Sequence, residues 1–270
     1  MRTDKVPVLG LAHLTALEVP PLDLVPLARA AGFGLVGLRL CPAQPGGVYY
    51  ALAPGSAALA EMRRRMDGDG VRVHDIEIVT IDRDFDPATL APVLDQAAAL
   101  GARRLSACGE DPDRARLVAR FAALCELAAS YGIGVDLEWM GWRVIATLAD
   151  AIAVVTACAQ PNAAVLVDAL HLARNGGVPD DVRALPAGLV RSAQLCDAPT
   201  AAPASRAAII AEARGARLAP GAGALPLSAL LDALPEDTIL SCEIPMAGVA
   251  APAERARLAW QATAALFGHE

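Results

Sequence analysis

The segment "LVDALHLARNGG", residues 166–177, places a carboxylate and an imidazole directly after a buried strand. Apolar residues run from Ala163 to Val167, Asp168 ends the run, and His171 follows three residues later. A carboxylate at the end of a buried strand costs free energy unless a partner compensates its charge. The rest of the sequence must supply that partner.

Apolar segments of strand length alternate with amphipathic segments of helix length along the whole chain. The predicted strands are Val8–Leu11, Leu35–Leu40, Val71–Ile78, Arg104–Ala107, Gly134–Glu138, Ala164–Asp168, Val190–Leu195 and Ile239–Glu243. The predicted helices are Leu22–Ala31, Ser56–Met66, Pro87–Leu100, Arg114–Ser130, Val144–Ala159, Asp180–Ala184, Leu227–Ala233 and Ala253–Phe267. This alternation predicts a parallel sheet. A chain of 270 residues is long enough to close that sheet into one (β/α)8 TIM-barrel domain over residues 1–270.

The alternative architecture is an open, doubly wound sheet, which usually carries a glycine-rich phosphate loop after its first strand. The first predicted strand is followed instead by "AHLTALEVPPLD", residues 12–23, with neither a GxGxxG nor a Walker A motif. The segment "APTAAPAS", residues 198–205, is predicted to be a loop after the seventh strand and not a domain boundary. The closed barrel is therefore favoured.

Composition excludes several classes of protein. The formal net charge of −7 disfavours a nucleic-acid binder, whose binding surface is basic. The six cysteines form no CxxC motif, so we expect reduced core thiols rather than a zinc-thiolate site. The N-terminus lacks a signal-peptide pattern, and no apolar run is long enough to span a membrane. We expect a cytoplasmic protein without a membrane partner.

The carboxyl ends of the last four predicted strands carry oxygen ligands. In a TIM barrel these ends surround the active site; the residues are Glu138, Asp168, Gln194 and Glu243. Three carboxylates in one site would repel each other strongly. A divalent cation removes the conflict, and hard oxygen ligands suit Mn²⁺ or Mg²⁺, with Co²⁺ as a substitute. We hypothesise that Asp168 binds a metal. Taken alone, Asp168 is equally explained as a helix cap. A buried Gln194 can equally satisfy backbone groups.

Four motifs together resemble the xylose-isomerase-like TIM barrels, a family of sugar isomerases, epimerases and related dehydratases. They are "AAGFGLVGLRL" (30–40), "LEWM" (137–140), "LVDALHLARNGG" (166–177) and "CEIP" (242–245). The resemblance implies one divalent metal bound by Glu138, Asp168, Gln194 and Glu243, with glutamine in place of the family's frequent histidine, as in its hydroxypyruvate-isomerase branch. It also implies that Glu138 and Glu243 form the acid/base pair and that His171 contacts the substrate.

Other residues are weaker candidates. His13 and Trp139 are predicted to contact substrate, with Trp142 as the other candidate for an apolar wall and packing under the loop as the alternative for both tryptophans. Arg217 is predicted to contact an anion or hydroxyl group, with a solvated helix face as an equal alternative; for Arg214 the solvated face is favoured. Arg39 and Glu77 are expected to pair with each other, and Asp197 is expected to serve a loop, with support of the proposed metal ligands as the minority alternative. The family's "PGEG" loop reads "PGAG" here, so Ala222 stands where the resemblance implies a glutamate.

These observations predict an isomerase or epimerase of a small sugar or other polyhydroxylated carbonyl compound, working by proton transfer through a metal-bound enediolate. The alternatives are a metal-dependent dehydratase of an inosose- or dehydroshikimate-like substrate and a non-catalytic binding barrel. The related endonuclease IV binds its metals with many histidines, and this chain has four, so DNA repair is disfavoured. The resemblance also implies a possible homo-oligomer.

Overall fold

Eight parallel strands close into a barrel in the computed structural model, which describes residues 6–249 and 251–269. The strands are β1 (Gly10–Leu11), β2 (Leu35–Leu38), β3 (Arg72–Ile81), β4 (Arg104–Gly109), β5 (Gly134–Glu138), β6 (Ala163–Asp168), β7 (Val190–Leu195) and β8 (Ile239–Cys242). They follow each other around the barrel in chain order, and β8 pairs with β1. The predicted (β/α)8 TIM barrel is confirmed.

Helices cover the outside of this barrel. They are α1 (Pro21–Ala31), α2 (Ala57–Asp69), α3 (Ala91–Ala99), α4 (Arg114–Ala129), α5 (Leu148–Cys158), α6 (Ala169–Arg174), α7 (Pro179–Arg183), α8 (Arg206–Gly215), α9 (Leu227–Ala233) and α10 (Pro252–Ala265). Short 3-10 turns at His13–Ala16 and Pro87–Leu90 precede α1 and α3. Within the described ranges, no helix has both the length and the apolarity needed to cross a membrane.

Two helices, α6 and α8, were absent from the sequence prediction. Helix α6 begins at Ala169, directly after the last residue of β6, so its apolar residues continue the strand's apolar run. Helix α8 follows the correctly predicted loop 198–205, where Ser205 caps it by accepting a hydrogen bond from the Ala208 backbone N–H (3.2 Å). The split of predicted helix Pro87–Leu100 has a local cause too, since the Asp86 side chain caps a 3-10 turn before α3.

The ends of the helices show why the sequence folds locally as it does. Thr147 and Asp150 form a reciprocal capping box, which starts α5 at Leu148 rather than at the predicted Val144. Gly32 ends α1 in a left-handed conformation with φ of 109°. A Cβ atom at Gly32 would come within 2.6 Å of the Trp260 ring, so a larger residue would disturb the packing of α10 on α1.

A buried polar layer fills the barrel beneath the strand ends. The Arg104 Nε donates to Asp136 Oδ2 (3.0 Å), the Ser192 hydroxyl donates to the same oxygen (2.9 Å), and His74 Nε2 lies 3.1 Å from that hydroxyl. Side chains alternate along a strand with period two, so this layer lies one step below the residues at the strand ends. It lies in the barrel interior beneath the cavity at the strand ends. All six cysteines are free and buried, as expected.

Candidate active site

A cavity of about 290 Å³ opens at the carboxyl ends of the strands. The four residues predicted from the strand ends meet there: Glu138 ends β5, Asp168 ends β6, Gln194 lies near the end of β7, and Glu243 directly follows β8. All four are at most 6% exposed. Glu138, Gln194 and Glu243 line the cavity, and Asp168 lies behind them. We call Glu138, Asp168 and Glu243 the carboxylate cluster.

Asp168 has two partners within the protein. Its Oδ1 accepts a hydrogen bond from the His171 backbone N–H (2.9 Å), which caps α6, and its Oδ2 accepts one from Arg217 Nη1 (2.5 Å). Burial alone would raise the pKa of this carboxyl group. The charge of Arg217 and the hydrogen bonds outweigh burial and hold the pKa below its ordinary value, so Asp168 is an anion.

Arg217 bridges two members of the carboxylate cluster. Besides Asp168, its Nη2 lies 2.7 Å from Glu243 Oε2, and its Nε donates to the Ala213 carbonyl (2.9 Å). The residue is 2% exposed and lines the cavity, which rules out the solvated helix face considered for it. Its fixed charge stabilises the two neighbouring anions, and its guanidinium remains accessible from the cavity.

The two glutamates have carboxyl groups with elevated pKa values. Burial is the main cause for Glu138, whose pKa is raised well above its usual range with further repulsion from Glu243 and Asp168. Burial raises the pKa of Glu243 to about 7, although Arg217 acts in the opposite direction. A carboxyl group with a pKa near neutrality both accepts and releases a proton readily, which suits a general acid/base.

Gln194 supplies an oxygen without a hydrogen-bond donor. Its Nε2 donates to Glu243 Oε1 (3.0 Å), while its Oε1 is buried and has no hydrogen-bond partner. Buried polar atoms are nearly always paired, so the orphaned oxygen calls for a cation or a donor from a ligand. Together with the carboxylate cluster it forms a donor set of hard oxygen atoms, which fits a divalent cation such as Mn²⁺ or Mg²⁺.

His171 lies next to these oxygen atoms. Ligand atoms of Glu138, Asp168 and His171 all lie within 4.8 Å of one another, and His171 Nε2 is 3.7 Å from Glu138 Oε1. Burial lowers the pKa of His171 to about 4, so its ring is neutral. A neutral imidazole accepts a hydrogen bond or binds a metal through its free nitrogen. The ring also packs edge-on against Trp142, with 5.2 Å between the ring centroids.

Two of the predicted substrate-contacting residues do not line the cavity. His13 is fully buried, its Nδ1 accepts a hydrogen bond from the Arg39 backbone N–H (2.9 Å), and its Nε2 lies 2.9 Å from the Val19 carbonyl oxygen. Its ring therefore fixes the chain at Arg39. Trp139 is 1% exposed and belongs to the hydrophobic core. The tryptophan that lines the cavity is Trp142, three residues further along the same motif.

Two structural expectations are confirmed at the rim. Arg39 Nη2 lies 3.3 Å from Glu77 Oε2, and both residues line the cavity. The Asp197 carboxylate accepts hydrogen bonds from the backbone N–H groups of Gly221 (2.9 Å) and Gly223 (3.0 Å). Asp197 thus holds the "PGAG" loop in place, and it does so through backbone groups that do not depend on the residue at position 222.

Sequence reasoning missed one residue of the cavity wall, Arg143, and did not favour two others, Trp142 and Arg214. Trp142 and Arg143 lie in the loop between β5 and α5, and Arg214 lies in the last turn of α8. In a TIM barrel the loops after the strands form the site, so the position of "GWR" (141–143) soon after Glu138 was an available signal. For Arg214 the sequence favoured a solvated helix face, and the unpredicted helix α8 places it at the cavity instead.

The chain belongs to the xylose isomerase-like TIM barrel family, whose model matches residues 25–265. Similar solved structures include the IolI protein with a bound zinc atom (17% identity, TM-score 0.79, covering 97% of this chain and 98% of that one). A D-allulose 3-epimerase from Methylomonas sp., solved with D-allulose, is 18% identical (TM-score 0.66, 93% and 94% covered). The probable 3-DHS dehydratase AsbF from Bacillus anthracis is 14% identical (TM-score 0.74, 94% and 97% covered).

Such identities show a shared fold and do not transfer an activity. The chain also spans 42% of a longer protein in which a barrel of this type is fused to a 4-hydroxyphenylpyruvate dioxygenase. A sequence search of curated proteins gives no match. The family contains epimerases and dehydratases, so the chain is related to enzymes, and the particular reaction must be argued from the site.

Proposed function

We propose that this protein is a divalent-metal-dependent isomerase or epimerase of a small polyhydroxylated carbonyl compound. The observation that carries the proposal is the pair Glu138 and Glu243, which project from β5 and β8 into one cavity with carboxyl pKa values raised by burial. A single acid/base group returns a proton from the side on which it removed it. Two groups on different strands allow removal from one face of the substrate carbon and return to the opposite face, which is what epimerisation needs; isomerisation between adjacent carbons needs only one of them.

Glu138, Asp168, Gln194 and Glu243 are the residues proposed to hold the metal. Their oxygen donors favour Mn²⁺, with Mg²⁺ or Co²⁺ as substitutes, although the IolI relative binds zinc. A divalent cation in this set would neutralise two negative charges and polarise a substrate carbonyl group.

The surrounding side chains orient the substrate and manage its protons. Arg217 donates from a fixed position between Asp168 and Glu243, so it stabilises negative charge that develops on a substrate oxygen. The neutral His171 ring is held against Trp142 and offers a nitrogen to a substrate hydroxyl. Glu138 or Glu243 removes the proton next to the carbonyl group, and the other carboxyl group returns one to the resulting enediolate.

The decisive experiment measures exchange of the substrate α-proton with D₂O by NMR, over a panel of ketoses and inososes with Mn²⁺ added. Glu138→Gln and Glu243→Gln should each lower exchange at least about a hundredfold, because general acid/base catalysis contributes on that order. Glu236→Gln is the matched control and should exchange like the wild type, because Glu236 is exposed in the loop before β8, at the opposite end of the barrel from the cavity. Undiminished exchange in both active-site variants would contradict the assignment.

A dehydratase is the second candidate, since AsbF, a probable 3-DHS dehydratase, has a similar barrel. Both reactions begin with the same proton removal, and they differ in whether a β-hydroxyl group then leaves. Loss of water from an inosose or a dehydroshikimate-like compound creates a conjugated carbonyl that absorbs in the ultraviolet. If absorbance rises as fast as the α-proton exchanges, the dehydratase is favoured. If the α-proton exchanges and the absorbance does not rise, the isomerase or epimerase is favoured.

A further inference from the structure

Three arginines from different parts of the chain line the active-site cavity and take no part in the proton transfer described above. Arg39 follows β2, Arg143 lies in the loop before α5, and Arg214 lies in the last turn of α8. We call them the arginine group. Each belongs to a separate segment, so their presence around one space is a product of the fold and not of a local run of basic residues.

Two members of the arginine group have buried donors without an acceptor. Arg39 reaches Glu77 through Nη2 (3.3 Å), and Arg143 Nη1 lies 3.4 Å from Glu110 Oε2. The Nε atoms of both arginines are buried and have no hydrogen-bond partner. An unsatisfied buried donor on a charged group costs free energy. A ligand that brings acceptor oxygens into the cavity would remove that cost.

Arg214 has no carboxylate partner among the residues that the structure describes. Partial burial lowers the pKa of its guanidinium, and the nearby positive charges of Arg143 and Arg39 lower it further. Like charges at such proximity are destabilising unless an anion lies between them. The arginine group therefore holds a positive charge that no carboxylate among the described residues pairs, in contrast to the acidic chain as a whole.

The cavity lining carries formal charges of both signs. Counted formally, the carboxylate cluster and Arg217 sum to two negative charges, which one divalent cation would balance. The arginine group with its two glutamate partners sums to one positive charge. A substrate complementary to both groups has a hydroxy-carbonyl part for the carboxylate cluster and one anionic group for the arginine group.

We propose that the arginine group binds an anionic group of the substrate, a carboxylate or a phosphate ester, so that the substrate is an acidic sugar derivative rather than a neutral sugar. This inference rests on the proposed function for the other end of the substrate. Guanidinium groups suit both anions because their paired N–H donors match the oxygen spacing of each.

The test uses inert ligands and metal-free protein, so that it does not depend on catalysis. Isothermal titration calorimetry in EDTA compares the affinity for xylitol with that for two anionic analogues, xylonate and xylitol 5-phosphate. Like xylitol, both lack a ketone or aldehyde group. We expect at least one anion to bind about tenfold more tightly than xylitol, and the better of the two identifies the anionic group. Raising the salt concentration should weaken binding of the anion and leave binding of xylitol unchanged.

Arg214→Gln removes one charge without stranding a carboxylate partner, so it should fold normally and bind the anion roughly five- to tenfold more weakly. Arg103→Gln is the control, because Arg103 is exposed just before β4, at the opposite end of the barrel. Equal binding of xylitol and both anions, or equal affinities in the two variants, would overturn the inference. Retained anion binding together with absent D₂O exchange would overturn the proposed function and leave the arginine group as an anion site.

Discussion

At the scale of single residues, the site depends on how Glu243 is held. One carboxylate oxygen accepts from Gln194 and the other faces Arg217, yet burial still raises the pKa of the group to about 7. Burial of a carboxyl group therefore outweighs two favourable contacts, because removing it from water penalises the charged form most. The protein holds the pKa of the Glu243 carboxyl group near 7 at a cost to its own stability.

That cost has a predictable pH dependence. A carboxyl group whose pKa rises on folding binds a proton more tightly in the folded state, so its contribution to the unfolding free energy falls as pH rises from about 4.5 to about 7. In metal-free protein, the stability of the wild type relative to Glu243→Gln should therefore fall on the order of 3 kcal/mol across this range. Urea unfolding at several pH values measures the difference.

Using the difference between two proteins cancels the titrating groups whose pKa does not depend on Glu243, and leaves Glu243 together with Glu138, whose pKa the Glu243 charge raises. His74 and His171 have pKa values lowered to about 4 by burial, and they favour folding at higher pH, which would mask the effect in the wild type alone. Glu236→Gln should track the wild type at every pH. A difference between wild type and Glu243→Gln that stays constant with pH would show that Glu243 titrates normally.

At the scale of elements, the strands were the most predictable part of the chain. Strands β5 and β7 have the predicted bounds, because each is a buried run with clear ends. The positions of Glu138 and Gln194 at the cavity followed from those bounds. What the sequence did not reveal was the path of the loops: Trp142 and Arg143 reach the cavity through a turn whose shape depends on tertiary contacts, among them the Ile145 N–H to Gly109 carbonyl hydrogen bond (3.1 Å).

The residues whose surroundings the sequence left open or misplaced share a physical cause. Whether an arginine is solvated or buried depends on which charges surround it in three dimensions. Arg217 contacts Asp168 and Glu243, which differ from it by 49 and 26 in residue number. No periodic pattern encodes such contacts. Likewise, His13 looked like a pocket residue from its place after β1, but two backbone groups occupy its ring nitrogens.

The loop between β5 and α5 is anchored at its far end by the capping box. Thr147 Oγ1 accepts from the Asp150 N–H (3.2 Å), and Asp150 Oδ2 accepts from the Thr147 N–H (3.1 Å). Thr147→Ala should lower the unfolding free energy by about 1 kcal/mol, measured by urea denaturation. Because the cap positions the loop that carries Trp142, substrate KM should rise as well. Thr200→Ala, in the exposed loop after β7, should change neither quantity.

At the scale of the whole molecule, the barrel interior holds two polar layers with different purposes. The lower layer joins Arg104, Asp136, Ser192 and His74 by direct contacts, so its charges are paired within the protein. The upper layer holds the carboxylate cluster, whose glutamates have raised pKa values, and the unpaired Gln194 oxygen. The lower layer is therefore satisfied within the protein, whereas the upper layer keeps an unpaired oxygen next to carboxyl groups with raised pKa values.

This division predicts that substitutions in the two layers have different effects on stabilisation by Mn²⁺. Mn²⁺ at a hundred times its dissociation constant should raise the unfolding free energy of the wild type by about 2.7 kcal/mol, since it binds only the folded state. Asp168→Asn should lose most of that increment, because it removes a ligand charge. Arg104→Gln should lower stability by about 3 kcal/mol or more, since it leaves the buried Asp136 without its cation, but the Mn²⁺ increment should persist. Loss of the increment in Arg104→Gln, or its persistence in Asp168→Asn, would show that the ion binds elsewhere and that the carboxylate cluster is neutralised by Arg217 and by its own protons.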